Sequence, residues 1–549
     1  MLNLYNRYLM VQFTKTMLHN IIKQKYYWTA LTLLTGIVLY SIVWSYISIE
    51  RYYSLSAYVY DSGLEFQRMW EVFHYHWTFY SFVKYFSYSG DTFLFAPLIF
   101  LKSYEALYIV QSTFLALPVI PLYLISRVKN LGDLKSLSIA GAYLLYFPLS
   151  GMNFFDFHFQ SFFIFFFLIA YYFFITEKYL FSTLMFILSG LVRFPLMIFP
   201  VGFALFEIIY LWKGKDSGVS LIFRKFKVVT ILLILSSTLL ILGLFTQGIP
   251  FFFQNIHSSG SVSSFSNNNG WGSKLYTVFI FLLPFLFLNL ISYRWSIFLL
   301  PYFALLFYTN FLGYQFPIYF DNNHYTAIIV PFVFLGFIDS YEILNYKIHY
   351  KIINLKLHNN IKRIWLFTKK LFLSKIPYYL MIVMIIMAVF FQPYGPLNKD
   401  TGKDNFGWPE EYVTNMTQFG VVERFNSLIP SNESLSNILI QDNLPMILPR
   451  PASLYFAAYV PSLTPFYSGI NLSDANNDLF PVYYGNGEWA NATFQYVIAV
   501  KNTFTYYSGY PNMGTFINLM LESHKFGILA SEDNVILLER SYTGPPVIT

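Results

Sequence analysis

The side chains best suited to chemistry fall in a few short polar segments between long apolar runs. YDSGLEFQRMWEVFHYHW carries Asp61, Glu65, Arg68, Glu71, His74 and His76, and Asp91 follows it. FDFH carries Asp156 and His158, VRFP carries Arg193, and FDNNHY carries Asp321 and His324. On the topology argued below they all lie at the outer membrane face. Ionisable groups in or near a bilayer are costly, so each is a functional candidate by default. Asp61 is the candidate general base on an acceptor hydroxyl, with Glu65 as the second candidate catalytic carboxylate. Arg193, with a histidine, would hold a phosphate by charge-assisted hydrogen bonds. Asp156 and His158 would bind a divalent cation or steer a pyranose, and Asp321 and His324 complete the candidate substrate-binding set.

Each has a plainer reading. Asp61 before Ser62-Gly63 fits a turn or a helix N-cap. His74 and His76 lie on an aromatic, amphipathic stretch that suits interfacial packing. Asp156 fits a helix-end cap with a solvated His158 beside it. Arg193 fits an interfacial anchor. Asp321 and His324 fit an exposed loop. No metal motif of defined spacing, phosphate-cradling glycine loop or nucleophile elbow occurs in the chain, so the metal requirement stays open.

The elements that must position these residues are set by composition. The 549-residue chain is 56% hydrophobic and 11% charged, whereas soluble proteins carry about 25% charged residues. So few charges cannot cover a water-facing surface; most of it must face lipid. The 62 Phe and 47 Tyr agree with that, because aromatic rings favour membrane interfaces. The net charge of +7 does not imply nucleic acid, because the basic residues cluster between apolar spans, as the positive-inside rule requires. With no cysteine, disulfides, thiolate-bound metals and thiol catalysis are excluded.

Orientation follows from the Lys/Arg distribution. Arg7, Lys15, Lys23 and Lys25 precede a first span near Tyr27–Ser48, which places residues 1–26 in the cytoplasm. No small-residue cleavage site follows that span, so it is expected to stay as a helix. Residues 49–91 then form an outer loop, and Thr92–Leu101, too short to cross, reads as a re-entrant or interfacial helix. Further spans are expected near 106–126, 137–152 and 161–176. A hairpin over 179–211 breaks at Val192-Arg193-Phe194-Pro195. More spans follow near 228–247, 276–292, 295–310, 327–340 and 376–391. Residues 341–375, with Lys347 to Lys375 the most basic stretch, form a cytoplasmic loop lying on anionic lipid.

The expected fold is therefore an α-helical polytopic membrane protein of about 11 crossings over residues 27–396. Residues 397–549 form a small extracytoplasmic α/β or α+β domain. Asn415, Asn432, Asn471 and Asn491 all begin Asn-x-Ser/Thr triplets beyond the last span, in keeping with an outer location. NILIQ, QYVIAV, FGILA and VILLER read as strands and Gly514–His524 as a helix.

Several segments together resemble a family of uncharacterised membrane proteins, domain of unknown function 2079. YDSGLEFQRMW resembles that family's YDLGIFDQ-type signature. FLFAPLIFL followed by QSTFLALPVIPLYLISR, and AYLLYFPLSGMNFFDFHFQSFFI, are similar to its Pro-broken helices and DFH motif. HYTAIIVPFVFLGF resembles its late span, and ILIQDNLPMILPR with NVILLER its outer domain. The family is in turn similar to the C-type glycosyltransferases, which place an acidic residue in the first outer loop and use polyprenyl-phosphate-linked sugars. By that resemblance Asp61 takes the acidic position, and Asp156 and His158 match the DFH. Two segments depart from the pattern: YFSYSGD stands where His-x-Ser-Pro is usual, and Leu191-Val192-Arg193-Phe194 where Lys-Glu-Asp is usual.

The resemblance implies a glycosyltransferase in the plasma membrane, whose partners are the lipid bilayer and a polyprenyl-phosphate sugar. The alternatives are a non-catalytic surface assembly protein and a transporter or flippase.

Overall fold

The computed structural model describes residues 2–55, 57, 62–63, 66–67, 103–212, 219–245, 271–308, 324–354, 374–391, 416–434, 437–441, 444–447, 450, 480–483, 489–492, 494–501 and 513–548. The protein is mostly helical. Among these residues, five helical stretches are long and apolar enough to cross a membrane: Tyr27–Tyr53, Tyr104–Val128, Pro195–Trp212, Arg224–Gly243 and Thr326–Asn345. Shorter apolar helices cover Phe159–Ile175, Tyr179–Leu191 and Ile376–Phe390.

The first helix, α1, runs unbroken over Leu2–Tyr53, so the segment before Tyr27 continues the axis of the first span. Then come α2 (Tyr104–Ala116), α3 (Val119–Val128), α4 (Asp133–Leu144) and α5 (Phe147–Phe155). The stretch 137–152, read from sequence as one span, is thus two helices meeting at Tyr146. Pro148 sits in the first turn of the second helix, where its missing N–H is harmless, while the residue before a proline disfavours helix. After α6 (Phe162–Ile175), the hairpin expected over 179–211 is α7 (Tyr179–Leu191), a 3-10 turn, Phe194–Met197, and α8 (Ile198–Trp212). Gly190 makes the turn's return possible, because a Cβ there would lie 2.4 Å from the Met197 sulfur and 3.0 Å from its Cα.

Next come α9 (Val219–Gly243), α10 (Trp271–Leu282), α11 (Tyr293–Tyr308), α12 (Val330–Asn354) and α13 (Ile376–Phe391). The span expected over 276–292 ends as a regular helix at Leu282. Pro284 removes a backbone donor, and Leu286 and Phe287 adopt left-handed conformations with φ of 51° and 57°.

Inside, the helices are joined by aromatic packing. Phe186 stacks on Phe203 at 4.5 Å, Phe203 faces Trp295 at 6.3 Å, and Phe298 stacks on Phe332 at 4.9 Å. Outside, Leu34, Val38, Ile42, Ile234, Leu235, Ile382 and Ile386 are exposed. Contiguous apolar faces of that extent belong against lipid.

The C-terminal region adds α14 (Met416–Leu428), β1 (Ile438–Ile440), β2 (Phe480–Tyr483), β3 (Trp489–Ala492), β4 (Tyr496–Val500), α15 (Met513–Glu522), β5 (Phe526–Glu532) and β6 (Val535–Arg540). One sheet has the order β1-β4-β6-β5, with β1 parallel to β4 and the other pairs antiparallel; β2 and β3 form a separate hairpin. Every residue of β4 is buried, so both sheet faces are covered. Ile498, Val500, Val535 and Leu537 join the apolar core that runs into the membrane helices. Val497, Ala499, Ile536 and Leu538 pack with Ile517 and Met520 of α15.

The edge of β5 is covered by the segment after β6, through Val547 N–H to Leu529 O at 2.8 Å and Ser531 N–H to Ile548 O at 2.9 Å, which hides a strand edge that would otherwise invite pairing. Gly527 lets that segment approach: a Cβ there would sit 2.0 Å from the Tyr542 carbonyl oxygen. Gly527→Ala is therefore expected to destabilise the sheet by about 3 kcal/mol, the upper end for overpacking. Limited proteolysis should find the region after Met513 cleaved at lower denaturant.

Tyr496 lends the same sheet a pH dependence. Its hydroxyl donates to Glu539 at 3.2 Å, and burial, reinforced by that carboxylate, pushes the phenol up to about 12. A raised folded value favours the protonated phenol, so its stabilisation is whole below about pH 10, the ordinary tyrosine value, and lost as pH climbs towards about 12. Proteolytic protection of β4 and β6 should fall across that window, and Tyr496→Phe should remove this part of the fall.

Candidate functional site

The DFH segment forms the centre of a buried polar network. Asp156 ends α5 with φ 148° and ψ 179°, a region that side chains other than glycine rarely adopt and that persists only when its surroundings enforce it. Here the enforcement is visible. Arg51, near the end of α1, donates through Nη1 to Asp156 Oδ1 at 2.6 Å and to Phe154 O at 2.5 Å. Its guanidinium also lies 5.2 Å from the Phe154 ring centroid. The two charged side chains are 3% and 1% exposed, so neither could be left unpaired without a large desolvation penalty.

Gln111 of α2 straps the turn from the other side. Its Nε2 donates to Asp156 O at 2.8 Å, while its Oε1 accepts from His158 N–H at 2.6 Å. Asn153 ties the same helices together: its Nδ2 donates to the Tyr40 hydroxyl at 3.0 Å and its Oδ1 accepts from Ser112 at 2.9 Å. Ser48 adds a bond to Asn153 O at 2.9 Å. The network thus fixes α1, α2 and α5 around the DFH turn. Next to it Gln160 is buried, and its Oε1 finds no donor among the described residues. A buried acceptor of that kind fits a hydroxyl or water not supplied by those residues.

Three further segments reach this end of the bundle. Phe66, in the segment after α1, stacks on Tyr104 at 4.2 Å, and Tyr104 stacks on Tyr52 at 4.8 Å. Phe419 of α14 packs edge-on against Tyr52 and Tyr53 at 5.1 and 4.8 Å. The Gln67 amide makes a two-way bond with the Arg450 backbone, donating at 2.8 Å and accepting at 3.2 Å. The C-terminal region is therefore latched onto the segment after α1 at Gln67. The 3-10 turn His324–Ile328 packs on α5 and on the turn Phe159–Ser161.

Among the sequence candidates, Asp156 and His158 are together and buried. Arg193 is half-buried at the hairpin break. In the α6–α7 pairing Ser182 bonds Ala170 O and Phe186 packs on Phe167, so α7 runs antiparallel to α6 and its break lies at the end where α6 begins. The backbone of His324 lies in the turn against α5. Asp61, Glu65 and Asp321 lie outside the described residues, as do Arg68, Glu71, His74, His76 and Asp91. No group of three or more His, Asp or Glu side chains suited to a metal occurs among the described residues, so a cation at Asp156 and His158 would need ligands from beyond them.

Sequence reasoning missed two things. Arg51 and Gln111 were passed over because each reads as an ordinary polar residue at a span edge. A second charged cluster went unnoticed at the opposite end. Arg294 pairs with Glu207, and Lys129 lies 3.2 Å from Asp339 and 2.8 Å from Glu342. Trp295 Nε1 donates to Asp339 at 2.6 Å. The available signal was a lone carboxylate inside an apolar run, Glu207 in FALFEIIYLW and Asp339 in FLGFIDSYE. All of these charges have partners, which suits a tie between α3, α8, α11 and α12.

No curated protein matches the chain. The model of one family, described as predicted membrane protein (DUF2079), matches residues 51–439. That match begins at Arg51, takes in Gln111, Asp156, His158 and the hairpin, and ends in β1: the chain belongs to the DUF2079 family of predicted membrane proteins.

Proposed function

We propose that the protein is a membrane glycosyltransferase of C-type architecture, taking its sugar from a polyprenyl-phosphate-linked donor at the outer membrane face. The observation that carries this reading is the strained, buried Asp156–His158 turn, held by Arg51 and Gln111 near where the segment after α1 and the C-terminal region meet. Backbone strain maintained by a buried ion pair is characteristic of functional sites. In the topology that goes with this reading, the N-terminus is cytoplasmic, about 11 segments cross, and residues 397–549 form the outer domain.

Asp61, with Glu65 near it in sequence, takes the proton from an acceptor hydroxyl. That oxygen bonds to the sugar's C1 as the C1–O bond to phosphate breaks, and the polyprenyl phosphate leaves with the bonding pair. Arg193, with His324, holds the departing phosphate. Asp156 is already engaged by Arg51, so its part is to position His158 and the sugar rather than to act as base; Asp321, three residues before His324 in sequence, is assigned to sugar binding. Loss of a cell-surface glycan in an Asp61→Asn strain is the expected result, and an unchanged glycan profile would overturn the reading.

One observation favours a second reading. The hairpin break carries Arg193 and no carboxylate between Leu191 and Phe194, leaving that position purely basic. A non-catalytic assembly protein, binding partners through its C-terminal region, fits this. Co-purification of a stable protein partner without bound polyprenyl lipid would support it.

A further inference from the structure

About 23 residues before Arg51 along α1, roughly 35 Å at 1.5 Å per residue, lies a groove of about 610 Å³. That distance is about a bilayer core, so the groove and the DFH turn sit at opposite ends of the bundle. Its walls are Trp28 and Thr32 of α1, Leu134, Lys135 and Leu137 of α4, and Tyr378 of α13. Trp28 and Leu134 are largely exposed, at 56% and 69%. Beside the groove α1 also exposes Leu31 and Leu34, apolar side chains suited to lipid. Trp and Tyr at its rim mark the headgroup level.

The charge around it is one-sided. Lys135 donates to the Tyr341 hydroxyl at 3.0 Å, and exposed Lys375 lies 5.7 Å from the Tyr378 ring centroid. The acid in the wall, Asp133, is already neutralised: Arg127 pairs with it and the Tyr123 hydroxyl donates to it at 3.0 Å.

We propose that this groove is a binding site for one anionic phospholipid from the leaflet at the basic end of the helices. An acyl chain lies along Trp28, Leu134 and Leu137, and the phosphodiester sits between Lys135 and Lys375. The volume suits a single bound small molecule, and basic side chains at headgroup level attract anionic lipid. The site does not depend on the glycosyltransferase reading.

The test is native mass spectrometry of the purified full-length protein in detergent, titrated with phosphatidylglycerol or with phosphatidylcholine of the same chains. One tightly held phosphatidylglycerol, with at least tenfold weaker phosphatidylcholine, is expected. Lys135→Gln with Lys375→Gln should weaken phosphatidylglycerol about 25-fold, from a roughly fivefold effect per basic group. Thr32→Phe, at an exposed wall position, should block the site while leaving both lysines. Equal retention of the two lipids by wild type overturns the proposal without any variant being needed. Displacement of phosphatidylglycerol by millimolar inorganic phosphate would also overturn it, in favour of a soluble-anion site.

Discussion

Arg51→Ala is expected to lower the thermal unfolding midpoint of the purified protein by on the order of 10 °C and to reduce the monodisperse fraction. Removing one partner of a buried ion pair leaves the other charge desolvated, at about 3–5 kcal/mol. Asp156 is 1% exposed, so no solvent replaces the guanidinium. The substitution also removes the donor to Phe154 O and the cation over its ring. The origin of the loss is checked by the double variant Arg51→Met with Asp156→Gly. It removes the stranded carboxylate, and glycine accepts the φ of 148° without strain. Most of the midpoint should return. An Arg51→Ala protein as stable as wild type would show that the pair does not hold this end of the bundle together.

Asp61→Asn is expected to abolish sugar transfer with little change in stability. Loss of a general base lowers rate about 100- to 10,000-fold, whereas asparagine keeps the size and shape of the side chain. Arg193→Gln should behave differently. A lost charge-assisted bond to phosphate is worth roughly 1.5–3 kcal/mol, and it should appear as weaker donor binding as well as slower transfer. Steady-state transfer from a labelled polyprenyl-phosphate sugar in liposomes separates the two. Equal rates for wild type and Asp61→Asn would remove Asp61 from the catalytic role.

The legibility of the fold varied with the physics of each segment. NILIQ, QYVIAV, FGILA and VILLER correspond to β1, β4, β5 and β6, and Gly514–His524 to α15, because β-branched runs bounded by turn residues carry their own signature. The hairpin break at Arg193 was legible because Pro195 cannot continue a helix. The β2–β3 hairpin was not, since FPVY and WANA are short and lack clear alternation. Nor was the division of 137–152 into α4 and α5, because hydropathy averages over a break that spans a single turn.

The DFH turn could be located from sequence, but the groups that hold it could not. Arg51 and Gln111 act across 105 and 45 residues of chain, and nothing in their local sequence announces a distant partner. For Glu207 and Asp339 the signal was present, a carboxylate inside an apolar run, and their buried pairing with Arg294 and Lys129 is what that signal calls for.

The central claim, a polyprenyl-phosphate sugar used at the outer face, is tested most directly by lipid mass spectrometry on gently purified protein, wild type beside Asp61→Asn. A polyprenyl phosphate or its sugar conjugate bound to the protein, with the conjugate accumulating in the variant because transfer has stopped, is the expected result. Absence of polyprenyl lipid from both samples would contradict the claim and leave the buried Arg51–Asp156 turn as an architectural support for an assembly protein.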